Sequence, residues 1–201
     1  MPASPPIVLA SKSAARIAML TAAGVPFTAE TARIDERDLE APLLAAGAKP
    51  MAVAVALAEA KAADVAARQP TGIVIGSDQV LELDGERWVK PASREEARGQ
   101  LRRLSGRAHH LHAAVAIARD GAVTWRHGDT ATMTMRHLDD AALTGYLDSV
   151  GDKVTDSVGA YQLEGPGVRL FEKIAGDYFT VLGMPLLPLL AELRRLGTIP
   201  W

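Results

Sequence analysis

The chain has 201 residues, of which 48% are hydrophobic, and this is enough to bury a substantial core within one domain. Its formal net charge of −2 gives no electrostatic footprint for duplex nucleic acid or for an anionic membrane surface, so an anionic ligand must be bound by a local cluster of cations. No cysteine is present, which excludes disulfides, thiolate metal sites and a cysteine nucleophile.

The first residues, Met-Pro-Ala-Ser-Pro-Pro, lack the basic and apolar regions of a signal peptide. No apolar run approaches the ~20 residues that a membrane-spanning helix needs. We therefore expect a cytoplasmic protein that binds neither membranes nor nucleic acid.

The first third of the chain alternates between predicted strands and helices. Ser13 is placed to cap the first helix and Gly24 to end it, while Pro70 and Gly72 end the second. The predicted elements are a strand over 7–10, a helix over 14–23, a strand over 27–34, an irregular or weakly helical connection over 35–50, and a long alanine-rich helix over 51–68.

The remainder is richer in extended segments. Asp84-Gly85 and Asp120-Gly121 are typical of hairpin turns, and Ser93 with Glu96 forms a capping-box pattern. The predicted elements are a strand over 72–80, a hairpin over 83–89, a helix over 93–104, strands over 111–118 and 123–135, a helix over 139–150, strands over 168–174 and 178–182, and a closing helix over 185–196. This order favours an α/β fold, a mixed sheet flanked by helices, and we expect one domain over residues 1–201.

Asp78 stands at the far end of the apolar run over 72–80. Burying an ionised carboxylate without a partner costs several kcal/mol or more, so Asp78 should meet a cation, a water to activate or a cleft. The alternative interpretation is a turn aspartate where the strand leaves the sheet. Asp78 is the first candidate for catalysis.

A second candidate is the strand-to-helix junction Ser11-Lys12-Ser13, followed by Arg16. Free backbone N–H groups and the positive end of the helix dipole make such a junction suited to anions. Arg16 in the first turn opposes that dipole unless a phosphate lies between the two. An ordinary Ser cap with a solvated arginine is the alternative.

Further ionisable residues occur on separate elements, namely Glu36, Lys61 and Lys90. Lys61 falls on the same i, i+4 stripe as Val53, Leu57 and Val65, so it either extends to solvent or enters a polar cavity. Acids that hold a divalent ion and cations that neutralise phosphate oxygens are what attack on a phosphoanhydride requires. Each residue taken singly is more often a solvated surface charge.

Two other patterns carry weaker signals. His110 and His112 share a face of an extended segment and could bind zinc, but spacing indicates no third ligand. Residues 159–165 place Tyr161, Gln162 and Glu164 between glycines, so they form either a loop that contacts a base edge or a plain turn. Neither a P-loop nor a dinucleotide-type glycine fingerprint is present.

Taken together, these motifs resemble those of the Maf-like nucleoside triphosphate pyrophosphatase family, also described as septum-formation inhibitors. The resemblance covers nearly the whole chain, although Ala14 and Ala15 replace the proline and first arginine of the family's opening pattern, and Ser157-Val158 stand where many members carry Lys-Ala. The matching motifs in chain order are residues 9–16, Asp35-Glu36, Lys61, Gly76-Ser77-Asp78, Lys90-Pro91, residues 104–107 with His109, Gly159-Ala160-Tyr161, Gly176-Asp177-Tyr178 and residues 182–186.

The resemblance implies hydrolysis of a nucleoside triphosphate to a monophosphate and pyrophosphate, with Mg²⁺ or Mn²⁺, by a two-lobed and often homodimeric protein with a central cleft. The implied roles are proton acceptor for Asp78, metal binding for Glu36 and Asp78, and phosphate binding for Ser11, Ser13, Arg16, Lys61 and Lys90. The alternative is a regulatory protein that inhibits septum formation and keeps a vestigial nucleotide pocket.

The resemblance also implies that Ala15, Gln79 and Glu164 influence the choice of base. Gln79 and Glu164 are similar to the branch that acts on 7-methyl-GTP rather than to the branch that acts on dTTP and UTP, whereas Ala15 matches neither. A carboxylate at position 164 could accept hydrogen bonds from guanine N1–H and its 2-amino group. A purine, with modified guanine as the first choice, is the expected base.

Overall fold

The computed structural model describes residues 5–201 and contains a seven-stranded mixed sheet flanked by helices. The predicted α/β class is confirmed. The strands are β1 (Ile7–Leu9), β2 (Thr28–Ala29), β3 (Ile73–Leu83), β4 (Glu86–Trp88), β5 (Ala108–Arg119), β6 (Ala122–Met135) and β7 (Phe171–Ala175). The α-helices are α1 (Ala14–Ala22), α2 (Glu36–Ala45), α3 (Pro50–Ala66), α4 (Arg94–Leu104), α5 (Asp140–Val150), α6 (Tyr178–Val181) and α7 (Leu186–Arg195). Short 3₁₀ helices cover Gly151–Thr155, Val158–Ala160 and Pro166–Leu170.

The strand order is β2-β1-β3-β5-β6-β7, and β4 pairs with β3 outside this path. β1 runs parallel to both of its neighbours, with Val8 opposite Thr28 and Val74. β3 and β4 are antiparallel, as the Asp-Gly turn between them predicts. β6 and β7 are also antiparallel, with an irregularity between Thr134 and Met135. Parallel pairing of β1 with its neighbours and antiparallel pairing in β3–β4 and β6–β7 make the sheet mixed.

The chain divides into two compact units. The first unit comprises the residues up to Gln79, His112–Asp129 and Tyr178–Trp201, and the second comprises Val80–Leu111 and Thr130–Asp177. In the first unit, apolar side chains of α1, β1, β3, β5 and α7 form one buried cluster, which includes Leu9, Leu20, Ile75, Ile117 and Leu189. In the described residues, 5–201, no helix combines the length and apolar character needed to cross a bilayer.

Several predicted boundaries are wrong. The strand expected over 27–34 is only the two residues of β2. Of the two alternatives for residues 35–50, irregular or weakly helical, the helical one is correct for α2, because Asp35 caps the helix by accepting hydrogen bonds from two backbone N–H groups at its start. The strand expected over 178–182 is the single helical turn α6, and the one expected over 168–174 is a 3₁₀ helix followed by β7.

Candidate active site

Asp78 lies in the interior of β3, because the strand continues to Leu83 and does not end near residue 80. The turn interpretation of Asp78 is therefore wrong. Its side chain is only 11% exposed, and its Oδ1 lies 2.6 Å from the Lys61 Nζ. The buried carboxylate thus has the cationic partner that its sequence context requires.

Lys61 lies on the buried stripe of α3, beside Leu57 and Val65, and its side chain is 12% exposed. Its ammonium group contacts Asp78 at 2.6 Å and the Glu36 Oε1 at 2.8 Å. Of the two predictions for this lysine, entry into a polar environment is correct. One ammonium therefore brings together a carboxylate from the sheet and a carboxylate from a helix.

Glu36 is the first residue of α2, directly after the Asp35 cap. Its side chain is half exposed, while those of Lys61 and Asp78 are nearly buried. A negative charge at the start of a helix is favoured by the helix dipole. The cap thus fixes the residue that carries the second carboxylate, and this carboxylate is open to solvent on one side.

Gly76 explains how α3 comes close enough to β3 for Lys61 to reach Asp78. A Cβ at position 76 would lie 2.1 Å from the Ala58 carbonyl oxygen and 2.6 Å from the Ala62 backbone nitrogen. Only a residue without a side chain allows this approach of helix to strand. The Gly-Ser-Asp motif therefore contains a packing requirement next to its carboxylate.

The junction between β1 and α1 has the expected cap. The Ser13 Oγ accepts a hydrogen bond from the Arg16 backbone nitrogen at 3.5 Å, and the Ser13 backbone nitrogen donates to the Ser11 Oγ at 3.2 Å. Ser11 and Ser13 are both partly exposed. Ala15 lies in the same first turn of α1 and is also partly exposed. This arrangement leaves the helix N-terminus accessible to an anion.

Arg16 is a buried arginine and not a solvated one, since only 9% of it is exposed. Its Nε donates to the Gly183 carbonyl at 3.0 Å and its Nη1 to the Ser77 carbonyl at 2.8 Å. Burial lowers the pKa of the guanidinium, and the charges of Asp78 and Glu36 partly offset this effect. Arg16 thus belongs electrostatically to the same cluster as the two carboxylates.

Ser77 and Gln79 flank Asp78 on β3. The Ser77 hydroxyl is fully buried and lies 2.8 Å from the Ala114 carbonyl oxygen and 2.9 Å from that of Gly183. The Gln79 Nε2 donates to the carbonyl oxygens of Thr180 and Val181 at 2.9 and 3.0 Å. Gln79 thus ties β3 to α6 itself, and Ser77 ties it to Gly183, which follows α6.

Lys90 and Glu164 lie in the second unit, on exposed segments after β4 and before the last 3₁₀ helix. Residues 159–165 comprise the end of the 3₁₀ turn Val158–Ala160, the buried Tyr161 and a turn over 163–165. The Tyr161 hydroxyl lies 2.7 Å from the His109 Nε2. Burial, with a smaller contribution from the charge of His110, lowers the pKa of His109 to about 4. His109 is thus a neutral core residue.

Oxygen donors for a divalent cation are present at Glu36 and Asp78. Among residues 5–201, no cluster of three acidic or histidine side chains with metal-binding spacing occurs, and this applies also to His110 and His112. Mg²⁺ is commonly bound by one or two carboxylates, with water and substrate phosphates completing its shell. Two carboxylates that meet at one ammonium group fit such a partial site.

Residues 6–196 match the family model described as Maf-like protein. The chain belongs to the Maf-like family. This match covers both units and all the residues discussed above, and it confirms the resemblance inferred from the ordered motifs.

The Maf-like chain is similar to curated proteins over nearly its whole length. It is 56% identical over 189 residues to the 7-methyl-GTP pyrophosphatase of Brucella abortus, covering 94% of this chain and 95% of that protein. It is 53% identical to the 7-methyl-GTP pyrophosphatase of Rhizobium etli, covering 98% of each. It is 50% identical to the nucleoside triphosphate pyrophosphatase of Bradyrhizobium diazoefficiens, covering 94% and 93%.

The sequence of this Maf-like chain did not indicate the contributions of Ser77, Gly183 and Thr180 to the site. All three act through backbone carbonyls or a buried hydroxyl. The glycine pair Gly176 and Gly183 around an apolar stretch was the available signal for a tight turn. The aromatic and β-branched content of that stretch favoured a strand instead.

Proposed function

We propose that the chain is a nucleoside triphosphate pyrophosphatase, which hydrolyses the α–β phosphoanhydride to give a nucleoside monophosphate and pyrophosphate. The observation that carries the proposal is the contact of the Lys61 ammonium with both Asp78 and Glu36. The charges of these two carboxylates also act on the buried Arg16 guanidinium. The names of relatives at 50–56% identity support the same activity. Carboxylates and cations in one buried cluster suit phosphoryl chemistry in a protein of slightly negative net charge.

Asp78 is proposed as the group that orients the attacking water and accepts its proton. It is nearly buried and held in place by Lys61, so its position relative to a bound phosphate is well defined. The pyrophosphate leaving group carries developing negative charge, which cations can stabilise. We assign this role to Arg16, Lys61 and Lys90, and the binding of phosphate oxygens at the start of α1 to Ser11 and Ser13.

Mg²⁺ or Mn²⁺ is the proposed cofactor, with Glu36 and Asp78 as its protein ligands. When bound, the ion would neutralise phosphate oxygens and polarise the anhydride. The half-exposed Glu36 can turn toward an ion without first being uncovered, because α2 already places it beside the ammonium of Lys61. The Lys61 ammonium would then retain its ion pair with Asp78 and lose the one with Glu36.

7-Methyl-GTP is the proposed first substrate. It is the compound named in the relatives from Brucella abortus and Rhizobium etli, and Gln79 and Glu164 are similar to that branch. Ala15 lacks the large side chain typical of either branch, so this position offers space and no polar contact. The proposed homodimer and the cytoplasmic compartment stay predictions.

The test is pyrophosphate release by the purified protein with Mg²⁺ from 7-methyl-GTP, the four ribonucleotides and dTTP. Pyrophosphate is expected, and not orthophosphate, with 7-methyl-GTP the fastest. Asp78→Asn should lower kcat by about 10²–10⁴-fold, the range for loss of a general base. The matched control is Asp120→Asn, a turn position with φ of 52° that asparagine tolerates. No release from any nucleotide would refute the proposal.

A further inference from the structure

Gln79 has its side-chain amide fixed by the last carbonyls of α6. The Nε2 donates to the Thr180 carbonyl at 2.9 Å and to the Val181 carbonyl at 3.0 Å. The carbonyls at a helix C-terminus have no partners within the helix, so an amide N–H₂ is well suited to them. The opposite orientation would place the Oε1 against two carbonyl oxygens, which excludes it.

With both N–H groups of Gln79 engaged, only the Oε1 acceptor is left for a ligand. A Cβ at Gly183 would lie 3.6 Å from the Gln79 Oε1 and 3.4 Å from the Arg16 Nη2, so this oxygen and the guanidinium both face Gly183. Gly183 has φ of 98°, a conformation that favours glycine, and its missing side chain leaves the space beside these two groups open. The Gln79 acceptor and the proposed phosphate-binding cation thus border the same glycine.

Thr180 is held in turn by a residue on a different element. Its Oγ1 donates to the Asp129 Oδ2 at 2.9 Å, and its side chain is fully buried. The Thr180 carbonyl also accepts from the Gly183 backbone nitrogen at 3.1 Å. α6 has only four residues, so it has little stability of its own, and the carboxylate on β6 fixes the turn whose carbonyls orient Gln79.

We infer that Asp129 and Thr180 are positioning residues that keep Gln79 oriented as a hydrogen-bond acceptor for the nucleobase. The inference rests on the proposed pyrophosphatase function. It predicts preference for a base edge with N–H donors, such as the N1–H and 2-amino edge of guanine, over adenine, whose N1 is an acceptor. If the Gln79 Oε1 faced adenine N1, two acceptors would meet and neither would form a hydrogen bond. The binding of adenine would therefore be weaker than that of guanine.

Two pairs of variants test the inference. Thr180→Val and Asp129→Ala remove the hydrogen bond, whereas Thr180→Ser and Asp129→Asn retain a donor or an acceptor at the same place. We expect the first pair to lower the ratio of kcat/KM for GTP over ATP by about tenfold, chiefly through a higher KM for GTP, because one hydrogen bond to the base is worth about that factor. Thr180→Ser and Asp129→Asn should keep this ratio near the wild-type value.

A purely structural role would lower activity equally for both nucleotides and would leave the GTP to ATP ratio unchanged in all four variants. The matched control is Thr198→Val, a buried threonine of the same unit whose hydroxyl donates to the Leu193 carbonyl at 2.9 Å. It should lose stability without changing the GTP to ATP ratio. An independent measurement is hydrogen exchange of the Gln79 side-chain amide by NMR, which should be slow in wild type and faster in Thr180→Val and Asp129→Ala.

An unchanged ratio in active Thr180→Val and Asp129→Ala variants would overturn the inference and leave the proposed function standing. A wild-type protein that releases no pyrophosphate would overturn both. Fast exchange of the Gln79 amide in the wild-type protein would also overturn the inference, whatever the activity, because the amide would then be free to rotate.

Discussion

The charge balance of the site depends on single residues. Lys61 compensates Asp78, whose side chain is 11% exposed, and also Glu36, whose side chain is half exposed. Removing one partner of a buried pair typically costs about 3–5 kcal/mol, because the other charge stays buried. Glu36 can regain water, so most of that cost belongs to Asp78. A ligand cation that takes over Glu36 would leave the Lys61–Asp78 pair intact.

His109 is the residue whose protonation couples most clearly to stability. It is fully buried, its Nε2 faces the Tyr161 hydroxyl, and its Nδ1 has no hydrogen-bond partner among the described residues. Burial lowers its pKa from 6.5 to about 4, so the folded chain resists taking up a proton that the unfolded chain accepts near pH 6.5. Its contribution is therefore complete above pH 6.5 and is lost as the pH falls toward 4.

We expect the unfolding free energy to fall between pH 6.5 and pH 4.5 with a component from His109 on the order of 2–3 kcal/mol. Urea unfolding at several pH values measures it. His109→Gln keeps a nitrogen near the Tyr161 hydroxyl but cannot titrate, so its pH slope should be smaller in this range. His137→Gln, at an exposed histidine of the same unit, should keep the wild-type slope. Equal slopes for both variants would contradict the assignment.

At the scale of elements, the contact between α3 and β3 brings Lys61 close to Asp78. A Cβ at position 76 would overlap the backbone of α3 at Ala58 and Ala62. Backbone atoms cannot rotate away as a side chain can, so the helix itself must shift. The distance between Lys61 and Asp78 is therefore set by the residue two positions before Asp78.

Gly76→Ala should destabilise the protein by about 1–3 kcal/mol, the usual cost of overpacking, and should also reduce kcat because Lys61 moves away from Asp78. Denaturant unfolding and pyrophosphate release measure the two effects. Gly99→Ala is the matched control, since Gly99 lies inside α4 with no atom within 4 Å of a built Cβ. It should stabilise the protein by about 0.5–1 kcal/mol with unchanged kcat. A Gly76→Ala protein with full activity would show that α3 does not position the site.

Elements with strong local signals were predictable and those that depend on tertiary context were not. α1 and α4 follow their capping serines, and the turns at Asp84-Gly85 and Asp120-Gly121 follow from residues that accept positive φ. α6 was predicted as a strand, because its apolar and aromatic residues suit both states. Its helical turn is stabilised by hydrogen bonds to Gln79 and Asp129, which span 102 and 51 residues of sequence.

For the molecule as a whole, the sequence located the candidate residues better than their contacts. Ser11, Arg16, Glu36, Lys61 and Asp78 lie in the first unit, as does Gln79, and the ordered motifs were enough to select them. The partners of Arg16 are carbonyl oxygens of Ser77 and Gly183, which any residue type could supply. Such backbone contacts leave no trace in a sequence, so the site could be proposed in advance but its internal bonding could not.

We propose that Lys90 and Glu164, two residues of the second unit, contact phosphate and base respectively. Hydrogen exchange followed by mass spectrometry, with Mg²⁺ and a non-hydrolysable 7-methyl-GTP analogue, tests this across the whole chain. We expect slower exchange at the start of α1, at the start of α2 and around Asp78, because bound ligand stabilises the segments that contact it. Residues 88–92 and 161–165 should also be protected if Lys90 binds phosphate and Glu164 contacts the base.

The control is the Asp120-Gly121 turn, an exposed hairpin with no proposed role, whose exchange should stay unchanged. Protection confined to the first unit would remove Lys90 and Glu164 from the binding site. Base selection would then depend on Gln79, because the other specificity residue proposed in that unit is Ala15, whose methyl group cannot form a hydrogen bond.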